Sequence, residues 1–357
     1  RDYFPANTRL AKDGAIAGTA TVTYAGDFSI TYHKHFKVVK NLKMSPPTVY
    51  ILRICGSDAP TKYPDGTAIE SGAKHFSVPV KGVALGWSTP VPFFEQLDLM
   101  DKVKLADAGY THSPCMHDAM KAGTIKDGSS SFASMAAAQT DVELVISGGP
   151  TWYTGGCSCD KDVLFDGPSD DTPLGRAEWI KFIATFFNEE DRANLVFSRE
   201  KSAYDATKAL AAAAAALYEL TKKKCAWVNG LKVDMHPYKN TYCTDASMEP
   251  FSVTPDSGTT SKTYGSKADL ATALADVDVI IDETYAGDPA TTFPDKASVL
   301  SNLGITLKEG AVLLREDKEV HDTGSSHNYA WAEGAVMRPA HVLQGLVHAV
   351  WPNSVKA

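Results

Sequence analysis

The sequence predicts an α/β fold of two Rossmann-like lobes with mainly parallel sheets, joined by one long, rigid α-helix. Short apolar segments typical of buried strands alternate with helical segments along most of the chain, which favours parallel sheets covered by helices. The alternation occurs in two halves. Between them lies an alanine-rich segment with six consecutive alanines at 211–216. Because alanine forms helix readily but buries little area, this segment is expected to connect the lobes.

The chain divides accordingly into three predicted parts. A length of 357 residues exceeds one compact core of common size. The parts are an N-terminal lobe at 1–197 with extra strands at 19–55, a linking helix at 198–222, and a C-terminal lobe at 223–357. At about 1.5 Å per residue this helix is roughly 35–38 Å long and can span two lobes.

Individual elements follow from hydrophobic period, capping residues and turn signals. Strands are predicted within 19–55 (beginning with "TATVTYAG" at 19–26) and at 82–87, 141–149, 225–230, 278–285 and 310–316. Helices are predicted at 88–100, 175–194 and 267–275, with a last helix from Arg338.

The helix at 175–194 has the pattern of an ordinary amphipathic helix. Apolar residues recur at i, i+3, i+4, i+7 and i+8 from Trp179. Glu178, Lys181 and Glu189 are therefore expected to face water.

Composition limits the possible functions. The formal charge is −8, and no basic stripe stands out, so nucleic-acid binding is not expected. No apolar run approaches the roughly 20 residues that a membrane span needs. The sequence starts at Arg1 without an initiator methionine, which suggests processing.

Six cysteines, an even number, fit an oxidising compartment, and most are expected to be oxidised. Cys225 and Cys243 are the preferred pair, because they are eighteen residues apart in one lobe. Cys157 and Cys159 are expected to be too close to bond each other.

Neither catalysis nor metal binding has a clear candidate. The motifs of serine hydrolases, phosphate loops, dinucleotide sites and zinc proteases do not occur. The clusters "HSPCMH" (112–117) and "CSC" (157–159) each lack the four ligands of a closed zinc site. A disulfide or solvated histidines explain them better.

Large side chains follow the predicted strands, where parallel sheets bind ligands. Aromatic groups at these positions suit a large flat ligand with apolar faces and polar edges, although each could instead simply pack a loop. The candidate ligand-binding residues are Trp87, Trp152, Tyr153, Asn229, Tyr285, His327, Tyr329 and Trp331.

Several stretches resemble the helical-backbone periplasmic binding proteins that capture cobalamin, ferric siderophores or haem for bacterial import transporters. These stretches cover roughly 75–357 in conserved order, and the N-terminal strands resemble the cobalamin acquisition proteins of algae. The stretches are "VPVKGVALGWSTPVPFFEQLDLMDKV" (78–103), "AAQTDVELVIS" (137–147), "TPLGRAEWIKFIATFFNEEDRAN" (172–194), "ADVDVIIDETY" (275–285) and "AWAEGAVMRPAHVLQGLVHAVWP" (330–352).

The resemblance implies a monomeric, extracellular or cell-surface protein that binds cobalamin between its lobes for uptake. Cobalamin would be a bound ligand and not a catalytic cofactor. Trp152 and Tyr153 lie where relatives place a stacking tryptophan, and Trp331 lies where the opposite lobe presents its aromatic residue.

The resemblance also implies a membrane transporter or receptor as partner, with Glu178 and Glu333 as the docking glutamates, one from each lobe. Glu178 could instead serve only the dipole of its own helix.

Two alternatives remain open at this point. The first is a ferric-siderophore, haem or metal-ion binding protein of the same fold. The second is a tetrapyrrole-modifying enzyme, which would need a titratable pair such as Asp282 or Glu283 with His327.

Overall fold

A computed structural model describes residues 18–33, 35–149, 156–217, 222–317, 319–322 and 327–352. These residues form two compact units. The N unit consists of the residues up to Asp170, Leu174–Arg199 and Ala332–Met337, and the C unit of Asp171–Pro173, Glu200–Trp331 and the residues from Arg338 onward.

The N unit begins with a mixed four-stranded sheet. Its first three strands pair antiparallel and the fourth joins the third in parallel, in the order β1-β2-β3-β4. The strands are β1 (Phe28–Tyr32), β2 (Phe36–Asn41), β3 (Thr48–Ile54) and β4 (Lys74–Val78).

The strand predicted at 19–26 is wrong. In the described residues 18–27 the backbone forms no strand, because its amides bind a carboxylate instead of a neighbouring strand. Thr23, Tyr24 and Ala25 donate their backbone N–H groups to Glu178 at 2.6 to 3.1 Å.

A second sheet of the N unit is entirely parallel, in the order β7-β6-β5-β8-β9. The predicted strands at 82–87 and 141–149 are confirmed with shorter bounds. The elements are β5 (Val83–Leu85), α1 (Val91–Leu97), β6 (Val103–Ala106), α2 (Pro114–Lys121), β7 (Lys126–Asp127), α3 (Phe132–Ala138), β8 (Leu144–Gly148) and β9 (Asp162–Phe165).

The helix predicted at 175–194 is two helices, and its predicted water-facing side is buried. Helix α4 (Pro173–Thr185) packs against both sheets, since the Trp179 ring lies 4.8 Å from Phe28 in β1 and 5.3 Å from Phe165 in β9. Glu178 is 0% exposed, and Lys181 is also buried. Both charges are satisfied internally: Lys181 Nζ lies 2.7 Å from Glu178 Oε1 and 2.7 Å from the Thr21 carbonyl.

A tight turn separates α4 from the long helix α5 (Glu190–Leu217). Asn188 adopts a left-handed φ of 58° there. Lys37 of β2 holds the turn, donating to the Thr185 carbonyl at 2.8 Å, Asn188 Oδ1 at 2.7 Å and Glu190 Oε1 at 2.5 Å. The linking helix therefore begins at Glu190 and not at residue 198.

Helix α5 supplies residues to both units, up to Arg199 in the N unit and from Glu200 in the C unit. Its 28 residues span about 42 Å. A narrow stripe is buried, whereas Ala212 and Ala213 are exposed. The buried stripe consists of Tyr204, Thr207, Ala211 and Ala214.

The C unit contains a six-stranded sheet with the order β13-β11-β10-β14-β15, and β12 also pairs with β10. β10 runs parallel to β12 and β14, and β14 runs parallel to β15, whereas β11 is antiparallel to both of its neighbours, β10 and β13. The strands are β10 (Lys224–Asn229), β11 (Lys232–Asp234), β12 (Glu249–Pro250), β13 (Ser261–Thr263), β14 (Val279–Asp282) and β15 (Val312–Arg315).

A short antiparallel hairpin and six helices complete the described part of the C-terminal half. The predicted strands and helices of this half are confirmed within a few residues. The elements are β16 (Val320–Asp322), β17 (His327–Tyr329), α6 (Pro237–Asp245), α7 (Lys267–Leu274), α8 (Pro289–Thr292), α9 (Lys296–Leu303), α10 (Ala330–Gly334) and α11 (Pro339–Val350).

Four of the six cysteines form disulfides. The predicted Cys225–Cys243 bond is confirmed. The prediction for Cys157 and Cys159 is wrong, because they bond each other. Ser158 takes a left-handed φ of 51° between them, and the turn brings their Cα atoms to 5.2 Å, within the range of disulfides. Cys55 and Cys115 are exposed thiols.

Within the described residues, every helix is too short or too polar to cross a lipid bilayer.

The two faces of α5 lead to a matched pair of substitutions. Ala211→Leu should lower the free energy of unfolding by about 1–3 kcal/mol, because Ala211 is 0% exposed and its site has no room for three more carbons. Ala213→Leu on the exposed face should change it by less than about 0.5 kcal/mol. Urea unfolding measures both, and equal effects would contradict this burial pattern.

Glu178→Gln should destabilise the protein by about 3 kcal/mol or more. The glutamine amide would direct an NH₂ group at backbone donors and leave Lys181 without its carboxylate. Glu189→Gln in the nearby turn is the control and should cost less than about 0.5 kcal/mol. Urea unfolding in which both variants match the parent would show that the Glu178 contacts contribute nothing.

Candidate functional site

In each unit the carboxyl ends of the parallel strands form one edge, where open α/β sheets bind ligands. We call the edge at the carboxyl ends of β5, β6, β8 and β9 the N edge. The edge at the carboxyl ends of β10, β14 and β15 is the C edge.

At the N edge, Trp87 follows β5 and is half-buried. Its ring lies 6.1 Å from that of Phe165 at the end of β9. The indole Nε1 is buried without a hydrogen-bond partner among the described residues, although buried indole N–H groups normally find one. Trp152 and Tyr153 lie outside the described residues.

Asp166, directly after β9, is an N-edge residue that the sequence reasoning missed. Its Oδ2 accepts a 2.6 Å hydrogen bond from Asn41 Nδ2, while Oδ1 is buried without a partner in the described part of the chain. Burial raises the pKa of Asp166, against the opposing effect of Asn41. A Cβ at Gly149, directly after β8, would overlap the Asp166 carboxyl group, so a larger residue there would require Asp166 to move.

The C edge brings together several of the predicted aromatic residues. Tyr285, after β14, is 63% exposed, and its ring lies 5.2 Å from that of Tyr329. Tyr329 is buried, and its hydroxyl accepts a 3.0 Å hydrogen bond from the Ala286 amide. Trp331 is half-buried 5.7 Å from Trp227 of β10.

Asn229 is exposed at the end of β10. His327 begins β17, but its side chain lies outside the described set.

Two ion-pair groups at the C edge were not predicted. Arg315 ends β15 and contacts Asp282, which ends β14 and is 0% exposed. The same guanidinium contacts Asp317 at 2.5 Å and the Thr284 carbonyl at 3.0 Å, and lies 4.5 Å above the Phe293 ring. The carboxylate of Asp282 is therefore already occupied by an internal partner.

Lys239 of α6 is the second cation of this edge. It contacts Asp234 at 2.9 Å and Glu283, and lies 5.5 Å above the Trp227 ring. Lys232 of β11 adds a positive charge near Asp234. With Glu283 and Asp282 both ion-paired, the acids named for an enzymatic pair with His327 are engaged in structural contacts.

Glu316 follows β15, and its carboxyl group interacts electrostatically with Glu283, Lys239, Arg315 and Asp282. Burial, and then the negative charge of Glu283, raise the pKa of Glu316 to about 9. Its carboxyl group is therefore protonated at neutral pH and can donate a hydrogen bond.

The two predicted docking glutamates are both buried. Glu333 is 3% exposed and accepts hydrogen bonds from the His112 amide at 2.7 Å and the Ser113 amide at 3.0 Å. Glu178 is enclosed by residues 23–25 and Lys181, as described above. In this structure both carboxylates hold loops of the N unit and neither is available to a partner, which does not fit the predicted docking role.

The described residues contain no cluster of three or more His, Cys, Asp or Glu side chains that could hold a metal ion. In the "HSPCMH" segment, His117 Nε2 lies 2.8 Å from the Thr111 carbonyl and Cys115 is exposed.

No family model and no curated protein sequence matches the chain. Solved structures do. The periplasmic heme-binding protein of Pseudomonas aeruginosa matches with a TM-score of 0.51 at 16% identity, over 76% of this chain and 93% of that one. A periplasmic binding protein from Veillonella parvula matches with a TM-score of 0.53 at 11% identity, over 91% and 98%.

The siderophore-binding protein BauB, in complex with two acinetobactin molecules and ferric iron, gives a TM-score of 0.50 at 13% identity, over 76% of this chain and 92% of that one. At these identities the likeness concerns the fold. The chain has the α/β fold of the periplasmic binding proteins.

Proposed function

We propose that this chain is a non-enzymatic binding protein of an uptake system, acting outside the cell or at its surface, and that its ligand is cobalamin. The observation that supports this proposal most is the C edge, where the exposed ring of Tyr285 contacts the buried ring of Tyr329 in a tilted arrangement and Trp331 of α10 contacts Trp227 of β10. The two disulfides are consistent with an oxidising compartment.

The aromatic pairs favour a ligand with a broad apolar face. Tyr285 presents its ring to solvent, and the contact with the buried Tyr329 ring restricts the conformations that it can adopt before a ligand binds. Ordering in advance reduces the entropy that binding costs. A corrin or porphyrin ring offers the flat area that such a surface would remove from water.

The charges of the C edge favour a ligand whose rim is polar and uncharged. Arg315 and Lys239 each already contact two carboxylates. An anionic rim, such as the two propionates of haem, would compete with these carboxylates for the same cations. The amide groups around a corrin carry no charge, and their carbonyls can accept from the protonated Glu316.

A ferric siderophore or haem is the second candidate, and the solved structures favour it. The P. aeruginosa protein is named for heme binding, and BauB holds a siderophore with ferric iron. Both share only the fold with this chain, and fold alone does not determine the ligand.

Incubation with cobalamin, haem or a ferric siderophore, followed by gel filtration and visible spectra of the protein peak, separates these candidates. We expect stoichiometric cobalamin in the protein fraction, released unchanged on denaturation. Co-elution of haem or siderophore alone would replace the cobalamin assignment, and conversion of the ligand would contradict a binding function.

Truncating the aromatic residues should weaken binding selectively. Trp331→Ala and Tyr285→Ala should each cost about 2 kcal/mol, or roughly thirtyfold in Kd, because each removes an aromatic side chain of the C edge that would contact the proposed ring. The double variant need not show the sum. Tryptophan fluorescence titration with cobalamin measures these effects.

Two controls belong to this titration. Tyr24→Ala removes an exposed aromatic side chain that precedes β1 and follows no strand of either edge, and it should leave Kd unchanged. Trp179→Ala, in the buried helix α4, should lower the melting temperature without a selective loss of affinity. Parental affinity in the Tyr285→Ala, Trp331→Ala double variant would refute this site.

Glu316→Gln should change how stability depends on pH. The carboxyl group binds its proton more tightly in the folded than in the unfolded protein. Its contribution is therefore fully present below about pH 4.5 and is lost as the pH rises toward 9. The free energy of unfolding of the parent should fall relative to that of the variant between pH 5 and pH 9 in urea titrations.

Glu309→Gln, at an exposed position of the same unit, controls for the change in net charge. A parent-minus-variant difference for Glu316→Gln that stays constant across this range would mean that the carboxyl group is ionised at neutral pH.

A further inference from the structure

The two disulfides differ in their surroundings. Cys225 and Cys243 are 1% and 0% exposed, and their bond closes a sequence separation of 18. Cys157 and Cys159 are only half-buried, their bond closes a separation of 2, and Ser158 between them is exposed. A reagent in solution therefore reaches the second bond far more easily.

The backbone at Ser158 opposes the Cys157–Cys159 bond. Its φ of 51° lies in the left-handed region, which residues with a Cβ rarely adopt. Opening the bond removes one of the constraints that hold Ser158 in this conformation. A bond that closes so short a loop also restricts the unfolded chain very little, so the fold depends little on it.

Contacts other than the bond hold both cysteines near their positions. Cys157 packs against a buried cluster that includes Leu105 and Phe132. The Cys159 carbonyl accepts hydrogen bonds from Lys74 Nζ and the Asp162 amide, both at 3.1 Å. These contacts keep the two cysteines close to each other after reduction. The bond can therefore form again.

We propose that Cys157–Cys159 is a labile disulfide that exchanges with small dithiols while Cys225–Cys243 stays intact. A thiolate of the dithiol attacks one protein sulfur and forms a mixed disulfide, releasing the other cysteine. The second thiolate of the reagent then displaces the protein sulfur. The reagent becomes a cyclic disulfide, and its two electrons and two protons end on Cys157 and Cys159 as thiols.

The test uses the native protein and two alkylating labels. N-ethylmaleimide first blocks Cys55 and Cys115, then stoichiometric dithiothreitol is added, and iodoacetamide traps new thiols at timed intervals for peptide mass spectrometry. We expect iodoacetamide on Cys157 and Cys159 at least tenfold faster than on Cys225 and Cys243. Equal rates, or faster reduction of Cys225–Cys243, would overturn the proposal.

Ser158→Gly tests the backbone argument, because glycine adopts a positive φ without the Cβ clash. The variant should hold its disulfide more firmly, so its reduction equilibrium with dithiothreitol should shift about fivefold toward the oxidised form. Circular dichroism checks that it folds. An unchanged or opposite equilibrium would exclude the left-handed Ser158 as the origin of lability.

Discussion

The N unit depends on the burial of helix α4 between two sheets. A helix without a solvent-facing side must satisfy every charge internally, since an unpaired buried charge costs several kcal/mol. Glu178 meets this requirement through the backbone amides of residues 23–25 and through Lys181. Lys37 does the same at the turn into α5 by reaching Glu190. The N-terminal segment and the mixed sheet are therefore part of the N unit's core and are not an appendage to it.

The sequence predicted the elements whose signals are local. Buried strands such as 225–230 and the capped helix from residue 267 were recognisable from period and capping alone. The environment of α4 was not, because its cover comes from residues some 150 positions earlier in the chain. The same apolar period fits a helix with one buried side or with two. Glu178 and Lys181 are therefore expected to face solvent until their buried partners are known. The strand prediction at 19–26 was wrong for a related reason. The backbone amides of residues 23–25 donate to Glu178, which is distant in the sequence, and not to a neighbouring strand.

The candidate site also contains some residues that the sequence indicates locally and others that it does not. Tyr285 could be named as a candidate because it ends the predicted strand at 278–285, whereas Trp331 was named from the family resemblance, and both remain candidates. The contact of Lys239 with Glu283 joins residues 44 positions apart on separate elements and leaves no local pattern. The Cys157–Cys159 bond depends on one backbone angle at Ser158, which spacing alone did not indicate.

The fold accommodates several ligands, so the choice among them depends on the charged and aromatic side chains at the two edges. An anionic group entering the C edge could gain Arg315 only by displacing Asp282 or Asp317, and a displaced Asp282 would be left as an unpaired charge at a buried position. Removing one partner of such a pair costs about 3–5 kcal/mol, comparable with the gain from the new contact. The neutral ligand proposed above would leave both ion pairs intact. On this argument the charges of the C edge, and not the fold, are what distinguish the proposed ligand from an anionic one.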